Sequence, residues 1–317
     1  MQVHSGVSIG IALGHGDSTS AQLMRDADTA MYEAKRQGRG QYAHFESGMH
    51  TRAAAAFELE ADLRTALLSG QLRTVFQPIV EIGSGRVVGM EALARWCHPS
   101  RGEISPVQFV PVAEDSGLIA TLGEEILRQA CVQFRSWQAA GLPLPARVSV
   151  NLSRAQLLDP ALPQRVQAIV EAAGLPCAAL QLEVTESLAM QDDAARSVLL
   201  ALRALGVQLA LDDFGTGHSS LSALQHIPVQ QLKIDRSFVR EVETSAYHRA
   251  LVQAALQVAQ ALQLEVVAEG VETDSQARLL AELGCSRAWE SVSTPSATTS
   301  SCSACPTCSA ACTSARW

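Results

Sequence analysis

From Leu72 onward, the chain alternates short apolar runs with longer stretches of helical periodicity. We predict strands at the apolar runs, which lie at 72–82, 87–95, 147–151, 180–185, 208–212, 231–235 and 265–269. Helical stretches lie between them, for example at 126–139, 194–205, 250–262 and 275–283. This alternation predicts an α/β fold with a largely parallel sheet. Seven candidate strands, with an eighth due after Leu283, suit a TIM-type barrel better than an open doubly wound sheet.

The N-terminal part of the chain has a different pattern. Residues 1–45 predict a strand at 7–12, a helix that stops near Gly38, and a short second strand. This segment is too short to be a complete domain. Residues 46–70 predict one helix that ends at Gly70, and we interpret it as a linker to the main domain at 71–285.

Composition narrows the class of protein. The net charge is −8 and no long basic run occurs, which argues against a binder of nucleic acid polymers. No apolar run reaches the length of about 20 residues that a membrane span needs, and residues 1–6 do not resemble a signal peptide. Four cysteines are scattered through the globular part, as expected for reduced thiols in the cytoplasm. They are Cys97, Cys131, Cys177 and Cys285.

Several predicted strands contain or end in an oxygen-bearing side chain, namely Glu91, Asn151, Glu183, Asp212, Asp213, Asp235 and Glu269. The carboxyl ends of parallel barrel strands meet at one mouth, so we expect these side chains to converge there. Clustered acids repel one another, which predicts a bound cation. Oxygen ligands without His or Cys favour Mg²⁺ or Mn²⁺ over Zn²⁺. The adjacent acids at 212 and 213 could flank two ions, a common arrangement for cleaving phosphodiesters.

A lysine, Lys233, lies inside an apolar strand and needs a partner. One interpretation is an ion pair with Asp235 or with another acid at a strand end. The other is a catalytic role, in which the lysine orients a water molecule or neutralises developing charge.

Seven short motifs follow one another along the chain: Phe76-Gln77-Pro78, Glu91-Ala92-Leu93-Ala94-Arg95-Trp96, Val150-Asn151-Leu152-Ser153, Glu183-Val184-Thr185-Glu186, Asp212-Asp213-Phe214-Gly215-Thr216-Gly217, Lys233-Ile234-Asp235 and Ala268-Glu269-Gly270-Val271-Glu272. In this order they resemble the EAL-domain family of cyclic-di-GMP phosphodiesterases, over about residues 55–285. The resemblance implies a TIM-type barrel and hydrolysis of cyclic di-GMP to linear pGpG in bacterial signalling. Residues 1–45 resemble the C-terminal end of a GGDEF (diguanylate cyclase) domain, a partial α+β fold without the GGDEF signature.

The resemblance also implies roles for individual residues. One divalent ion would be held by Glu91, Asn151, Glu183 and Asp212, and a second by Asp212 and Asp213. The implied catalytic residues are Glu91, Lys233, which would contact the attacking water, and Glu269, which would bind metal-bound waters. Substrate contacts would come from Gln77, Leu93, Arg95 and Glu272.

Two acids have a structural alternative to their implied roles. Glu186 would brace the loop at 214–220, but it could simply be a favourable charge at a helix N-terminus. Glu272 could likewise cap the helix that follows it. His218, in the same loop, is interpreted as an exposed polar residue rather than a catalytic histidine.

The C-terminus departs from the family pattern. Trp289 stands about where the family has an active-site glutamine, and no Leu, Ile, Phe or Met occurs between 286 and 317. We therefore predict that 286–317 is disordered and that the barrel lacks its last strand and helix. A frameshift would account for the abrupt change in composition. Four cysteines in this tail have iron–sulfur spacing, which we interpret as coincidence: Cys302, Cys305, Cys308 and Cys312.

Three functions remain open from the sequence. The first is a metal-dependent cyclic-di-GMP phosphodiesterase, and the second is a module of the same fold that binds cyclic di-GMP without cleaving it. The third is a protein-interacting scaffold in which the N-terminal segment and the helix at 49–68 form a homodimer.

Overall fold

A computed structural model describes residues 6–14, 16, 18–36, 40–190, 193–215, 224 and 227–290. The chain divides into two compact units. The first comprises Met1–Arg73 and Arg95–Leu122, and the second comprises Thr74–Ala94 and Gly123–Trp317. None of the helices in the described ranges combines the length and the apolar character needed to cross a membrane.

The first unit begins with the predicted strand, helix and strand. Strands β1 (Ile9–Ile11) and β2 (Tyr42–His44) are parallel, and helix α1 (Ser20–Arg36) connects them. A Cβ added at Gly10 would lie 1.8 Å from the carbonyl oxygen of Ala27, so α1 packs directly on the β1 backbone. Such close contact needs glycine at this position.

The predicted linker helix is also present, as α2 (Met49–Ser69). It ends at Gly70, which adopts the left-handed conformation with φ 69° that favours glycine at a helix C-terminus. Polar contacts join this helix to the end of strand β4 (Val87–His98) and to the turn between β4 and β5 (Gly102–Ile104). Asp62 lies 3.4 Å from His98 Nε2 and 3.3 Å from Arg101 Nη2. Helix α3 (Pro106–Asp115) follows.

The second unit contains a closed barrel of eight strands. In ring order these are β3 (Leu72–Glu81), β11 (Arg287–Glu290), β10 (Glu265–Val271), β9 (Gln231–Ile234), β8 (Gln208–Phe214), β7 (Leu180–Thr185), β6 (Val148–Asn151) and β4, which pairs with β3. The pairings from β4 through β6 to β11 are parallel, and β3 runs antiparallel to β11. The TIM-type fold is confirmed.

Helices follow the strands, as the periodicity predicts. They are α4 (Ile119–Ala139), α5 (Arg154–Leu157), α6 (Leu162–Ala172), α7 (Glu186–Met190), α8 (Asp193–Ala204), α9 (Arg236–Arg240), α10 (Ala246–Ala261) and α11 (Asp274–Glu282). Strand residues such as Leu182, Leu209 and Leu232 are fully buried. A parallel sheet covered on both faces requires such continuous apolar strands. The four cysteines of the described ranges are free thiols.

The prediction that the barrel lacks its last strand is wrong. Residues Arg287–Glu290 form β11, which pairs with β10 on one side and with β3 on the other. Ala288 is 3% exposed, and Arg287 forms an ion pair with Glu265. Backbone hydrogen bonds on both sides and one ion pair therefore hold a strand that has little apolar content. The predicted disorder is also wrong for residues 286–290. The rest of that prediction, including the absence of a last helix, concerns residues 291–317, which lie outside the described residues, as do His218 and the four tail cysteines.

Candidate functional site

A buried lysine lies at the centre of the site. Lys233 on β9 is 1% exposed. Its Nζ lies 3.1 Å from Glu91 Oε2 and 2.6 Å from Glu183 Oε2. It also lies 3.0 Å from Asp212 Oδ1 and 2.8 Å from Glu269 Oε1. Four carboxylates from four different strands therefore surround one ammonium group, and three formal negative charges remain unbalanced within this set.

Strand register brings these acids together. Asn151 on β6 pairs with Glu183 on β7, and Thr185 on β7 pairs with Asp212 on β8. The amide Nδ2 of Asn151 donates a hydrogen bond of 2.6 Å to Glu91 Oε1. The predicted convergence at the strand ends is therefore observed for the residues that contact Lys233 and for Asn151.

The acids and the lysine shift one another's pKa values. Burial and repulsion from Glu183 raise the pKa of Glu91 well above its ordinary value. Burial raises the pKa of Glu269 to about 8, against the opposing attraction of Lys233. Burial also disfavours the ammonium of Lys233, but the four acids outweigh it and raise the pKa of the lysine. Lys233 is therefore charged at neutral pH, and the carboxylates compete for its charge.

A second group of acids overlaps the first. Oxygen atoms of Asp212, Asp213 and Glu269 all lie within 4.8 Å of one another. Asp213 has a φ of 54°, a left-handed conformation that Asp tolerates better than most residues. Burial and repulsion from Asp212 raise its pKa. All of these donors are oxygens, and they carry excess negative charge, so the set fits a hard divalent cation.

Asp235 does not join the contacts of Lys233. It is the N-cap of α9, where its Oδ1 accepts a hydrogen bond of 2.9 Å from the Ser237 backbone N–H. The sequence placed it among the converging acids because it follows a strand directly. Of the partners considered for Lys233, other strand-end acids are correct and Asp235 is not.

Glu186 contacts the start of the loop after β8. Its Oε2 accepts a hydrogen bond of 3.0 Å from the Gly215 backbone N–H, and its side chain is buried. It is also the first residue of α7, so both interpretations from the sequence describe part of its environment. The loop beyond Gly215 lies outside the described residues up to 223.

The four residues assigned to the substrate lie on different elements. Gln77 on β3 and Leu93 on β4 are half-buried, and Glu272 after β10 is exposed. Arg95 belongs to the first unit, where its Nε lies 3.6 Å from Glu103 Oε1. Glu272 is not the cap of α11, because the Thr273 side chain fills that position by accepting a hydrogen bond from Gln276. Their contacts with a substrate stay a prediction.

One neighbour of the site was not assigned a role from the sequence. The ring centroid of Trp289 on β11 lies 4.5 Å from Lys233 Nζ. In the sequence it differs from the family pattern only by standing where a glutamine is expected. The four residues of β11 give no strand signal of their own, so only the pairing of β11 with β10 and β3 locates the residue.

Comparison with known proteins agrees with the fold. The EAL domain family matches residues 60–288, and the diguanylate cyclase GGDEF domain family matches residues 1–41. The EAL match begins within α2 and ends within β11, so it includes the strand that closes the barrel.

Named relatives come from several bacteria. The chain is 45% identical over 286 residues to the bifunctional diguanylate cyclase/cyclic di-GMP phosphodiesterase MucR of Pseudomonas aeruginosa, covering 90% of this chain and 42% of that protein. It is 39% identical over 287 residues to the cyclic di-GMP phosphodiesterase PdeR of Escherichia coli, covering 90% and 43%. The chain thus spans about two fifths of the length of these relatives.

A solved structure, the MucR phosphodiesterase in complex with c-di-GMP, is similar with a TM-score of 0.70 and 43% identity. That match covers 73% of this chain and 94% of the other. The EAL enzyme Bd1971, in its form with cAMP and cyclic di-GMP bound, is similar with a TM-score of 0.72 and 28% identity, covering 86% and 72%. With its fold, its acid cluster and these matches, the chain belongs to the EAL-domain family and carries a GGDEF fragment at its N-terminus.

Proposed function

We propose that this chain is a phosphodiesterase that hydrolyses cyclic di-GMP to linear pGpG with the help of two divalent ions, Mg²⁺ or Mn²⁺. The observation that carries the proposal is the buried Lys233 surrounded by four carboxylates from four barrel strands. Relatives that share 39–45% of the sequence are named cyclic di-GMP phosphodiesterases, which supports the choice of substrate.

The oxygen donors of the site would hold the ions. Glu91, Asn151, Glu183 and Asp212 would bind one ion, Asp212 and Asp213 the other, and Glu269 would hold attached waters. The three unbalanced negative charges around Lys233 support this assignment, because buried like charges need a compensating cation. When bound, two divalent ions polarise a phosphoryl oxygen and lower the pKa of a bound water.

The chain's own residues have distinct tasks in this proposal. In the metal-free site the surrounding acids raise the pKa of Lys233, so we assign its Nζ as a hydrogen-bond donor rather than as a base. A fixed ammonium group near the reacting phosphate stabilises negative charge that develops during hydrolysis. Glu91 and Glu183 hold this ammonium in position through their Oε2 atoms.

Substrate binding would involve residues outside the acid cluster. Arg95 would contact a phosphate, because a guanidinium can bind phosphate oxygens through two parallel hydrogen bonds. Gln77, Leu93 and Glu272 would contact the rest of the dinucleotide. Glu186 would hold the start of the loop after β8 through its bond to Gly215. A homodimer and a cytoplasmic location remain predictions from the sequence.

The test is an assay for pGpG after incubation with cyclic di-GMP and Mg²⁺ or Mn²⁺. We expect turnover by the wild-type chain and its loss in Glu91→Ala. Glu171→Ala, an exposed glutamate on α6, is the matched control and should retain activity. Ca²⁺ should inhibit, because it prefers longer and looser coordination than Mg²⁺.

A non-catalytic binding module is the second candidate. It is favoured by Trp289, which stands where the family resemblance expects an active-site glutamine. Binding of cyclic di-GMP without any pGpG would support this candidate and contradict the first. Neither binding nor turnover would contradict both.

A further inference from the structure

One aromatic side chain lies against the acid cluster and has no role in the proposed reaction. The ring centroid of Trp289 is 4.5 Å from Lys233 Nζ. The same ammonium contacts four carboxylates at 2.6–3.1 Å. The indole is therefore a further neighbour of the Lys233 ammonium, and unlike the four carboxylates it carries no formal charge.

The contact is attractive for a physical reason. The face of an aromatic ring carries partial negative charge, and Trp has the strongest such face among the side chains. A cation–π contact gains strength when the cation is desolvated, and Lys233 is 1% exposed. The indole can therefore hold the ammonium without adding a further carboxylate to a cluster that already has excess negative charge.

The indole nitrogen of Trp289 does not take part in the contact with Lys233. Its Nε1 is buried and has no hydrogen-bond partner within the described ranges. A buried donor without an acceptor is unfavourable, and it is rare in native structures. The indole is therefore not anchored through its N–H group, and its contact with Lys233 is made by the ring face.

The backbone of Trp289 is fixed independently of that contact. The residue pairs with Ile79 of β3, and its neighbour Ala288 pairs with Ala268 of β10. The ring thus projects from a strand that is hydrogen-bonded on both sides. A short closing strand of this kind can present the ring at a fixed position.

We propose that Trp289 is a positioning residue for Lys233, whose ring face keeps the ammonium group in place for the reaction. This inference rests on the proposed phosphodiesterase function. The ring, and not the N–H group, does the positioning. Trp289→Phe keeps a smaller aromatic face and removes the unpaired donor, whereas Trp289→Leu keeps apolar volume and removes the aromatic face.

The kinetic test compares these two variants with cyclic di-GMP as substrate. We expect Trp289→Leu to lower kcat by roughly 3- to 30-fold, the range of a desolvated cation–π contact, with KM nearly unchanged. Trp289→Phe should stay within about threefold of the wild-type kcat, because losing an unpaired donor removes no hydrogen bond. An equal loss of kcat in both variants, or a normal kcat in Trp289→Leu, would overturn the proposal.

A second measurement does not depend on turnover. The side-chain methylene protons of Lys233 next to Nζ should show an upfield ring-current shift in the NMR spectrum of the wild-type chain. We expect Trp289→Leu to abolish that shift and Trp289→Phe to retain part of it. Trp137→Leu is the matched control: Trp137 packs against Phe76, and its loss should leave the Lys233 resonance in place. If the chemical shift of these Lys233 protons is the same in Trp289→Leu as in the wild type, the proposal is overturned.

The two hypotheses fail in different ways. A wild-type chain that forms no pGpG contradicts the proposed function, whatever the Lys233 resonance shows. A wild-type chain that forms pGpG, together with Trp289→Leu at the wild-type kcat, contradicts only the role of Trp289.

Discussion

Two polar clusters lie at different levels of the same barrel, and the same strands build both. Strand β7 carries Gln181 and Glu183, β9 carries Gln231 and Lys233, and β10 carries Glu265 and Glu269. The first residue of each pair lies near the start of its strand, and the second lies further along, in the Lys233 site.

The cluster at the strand starts, called the balanced cluster below, has no unpaired acid: its two arginines leave one formal positive charge in excess, and both arginines are partly exposed to solvent. Glu265 contacts two arginines, Arg147 at 3.3 Å and Arg287 in a shorter ion pair. The amide of Gln181 donates a hydrogen bond to Gln231 beside them. Burial disfavours the charged form of Glu265, but the arginines outweigh it and lower its pKa.

In the cluster around Lys233 the acids outnumber the cation, and the pKa of a glutamate shifts in the opposite direction. Burial and repulsion from Asp212 and Glu183 raise the pKa of Glu269 to about 8, because the attraction of Lys233 does not offset them. Two glutamates on one strand thus differ in the sign of their pKa shift. In the first cluster the protein's own cations offset the acid, whereas in the second the acids outnumber the lysine, so we expect that cluster to take up a cation from solution.

We expect the largest effect from removing the positive charge that the protein itself supplies to the site, the ammonium group of Lys233. At pH 8 in EDTA, Lys233→Met should lower the free energy of unfolding by about 3–5 kcal/mol, because it leaves buried acids facing one another. Saturating Mg²⁺ should recover much of that loss. Urea unfolding with and without Mg²⁺ measures both quantities. An unchanged stability in EDTA would show that Lys233 does not balance these acids.

Removing a cation from the balanced cluster should lower the stability less, and Mg²⁺ should not change that loss. Arg287→Met leaves Glu265 with Arg147, and the side chains of Arg287 and Glu265 are 28% and 35% exposed. We expect a loss of about 1 kcal/mol, since solvent screens partly exposed pairs. The same urea experiment provides the comparison. If Mg²⁺ restores the stability of Arg287→Met, the two clusters do not differ in their need for a cation from solution.

The sequence predicted the unbalanced cluster better than the balanced one. Glu91, Asn151, Glu183, Asp212 and Glu269 could be expected together because each follows or interrupts an apolar strand, and parallel strands end at one mouth. Their order around Lys233 could not be predicted. Glu91 and Lys233 are 142 residues apart in the chain, and only strand register brings them to 3.1 Å.

The balanced cluster depends on a strand that the sequence did not indicate. Among Arg287, Ala288 and Trp289 only Ala288 is fully buried, so β11 lacks the apolar run that marks the other barrel strands. Its order comes from pairing with β10 and β3, which no local pattern reports. For Asp235 the sequence predicted a site residue where there is none. An acid directly after a strand can cap the next helix instead of pointing into the mouth of the barrel, and Asp235 caps α9.

A third test uses pH to separate the two clusters. In EDTA, folded Glu269 holds a proton between its ordinary pKa of 4.5 and about 8, while the unfolded chain has released it. The folded state binds more protons in this window, so stability should fall as the pH rises from 4.5 to 8. Glu91 and Glu183 act in the same direction. Glu269→Gln should therefore flatten the slope.

Glu265 should show the reverse dependence. Its pKa is lowered in the folded state, so its contribution to stability is present above pH 4.5 and disappears as the pH falls through the folded value. Glu265→Gln should reduce the loss of stability on the acid side only. Unfolding curves across the pH range would report both slopes, and equal slopes in wild type and Glu269→Gln would contradict the assignment.

The smallest expected effect lies away from both clusters. Ser245 caps α10 by accepting a hydrogen bond of 3.3 Å from the His248 backbone N–H. Ser245→Ala should cost about 0.5 kcal/mol of stability, the low end for an N-cap, because this hydrogen bond is long. Neither the pH slope nor the response to Mg²⁺ should change in thermal or urea unfolding. A changed Mg²⁺ response would mean that stability loss alone alters the site.

The central claim is that the acid cluster around Lys233 binds divalent cations. A calorimetric titration of the wild-type chain with Mn²⁺ tests it most directly. We predict saturable binding of two ions per chain with release of protons, because acids with raised pKa values must ionise to bind metal. Asp213→Asn should lose one of the two ions. Absence of saturable Mn²⁺ binding by the folded wild-type chain would contradict the claim.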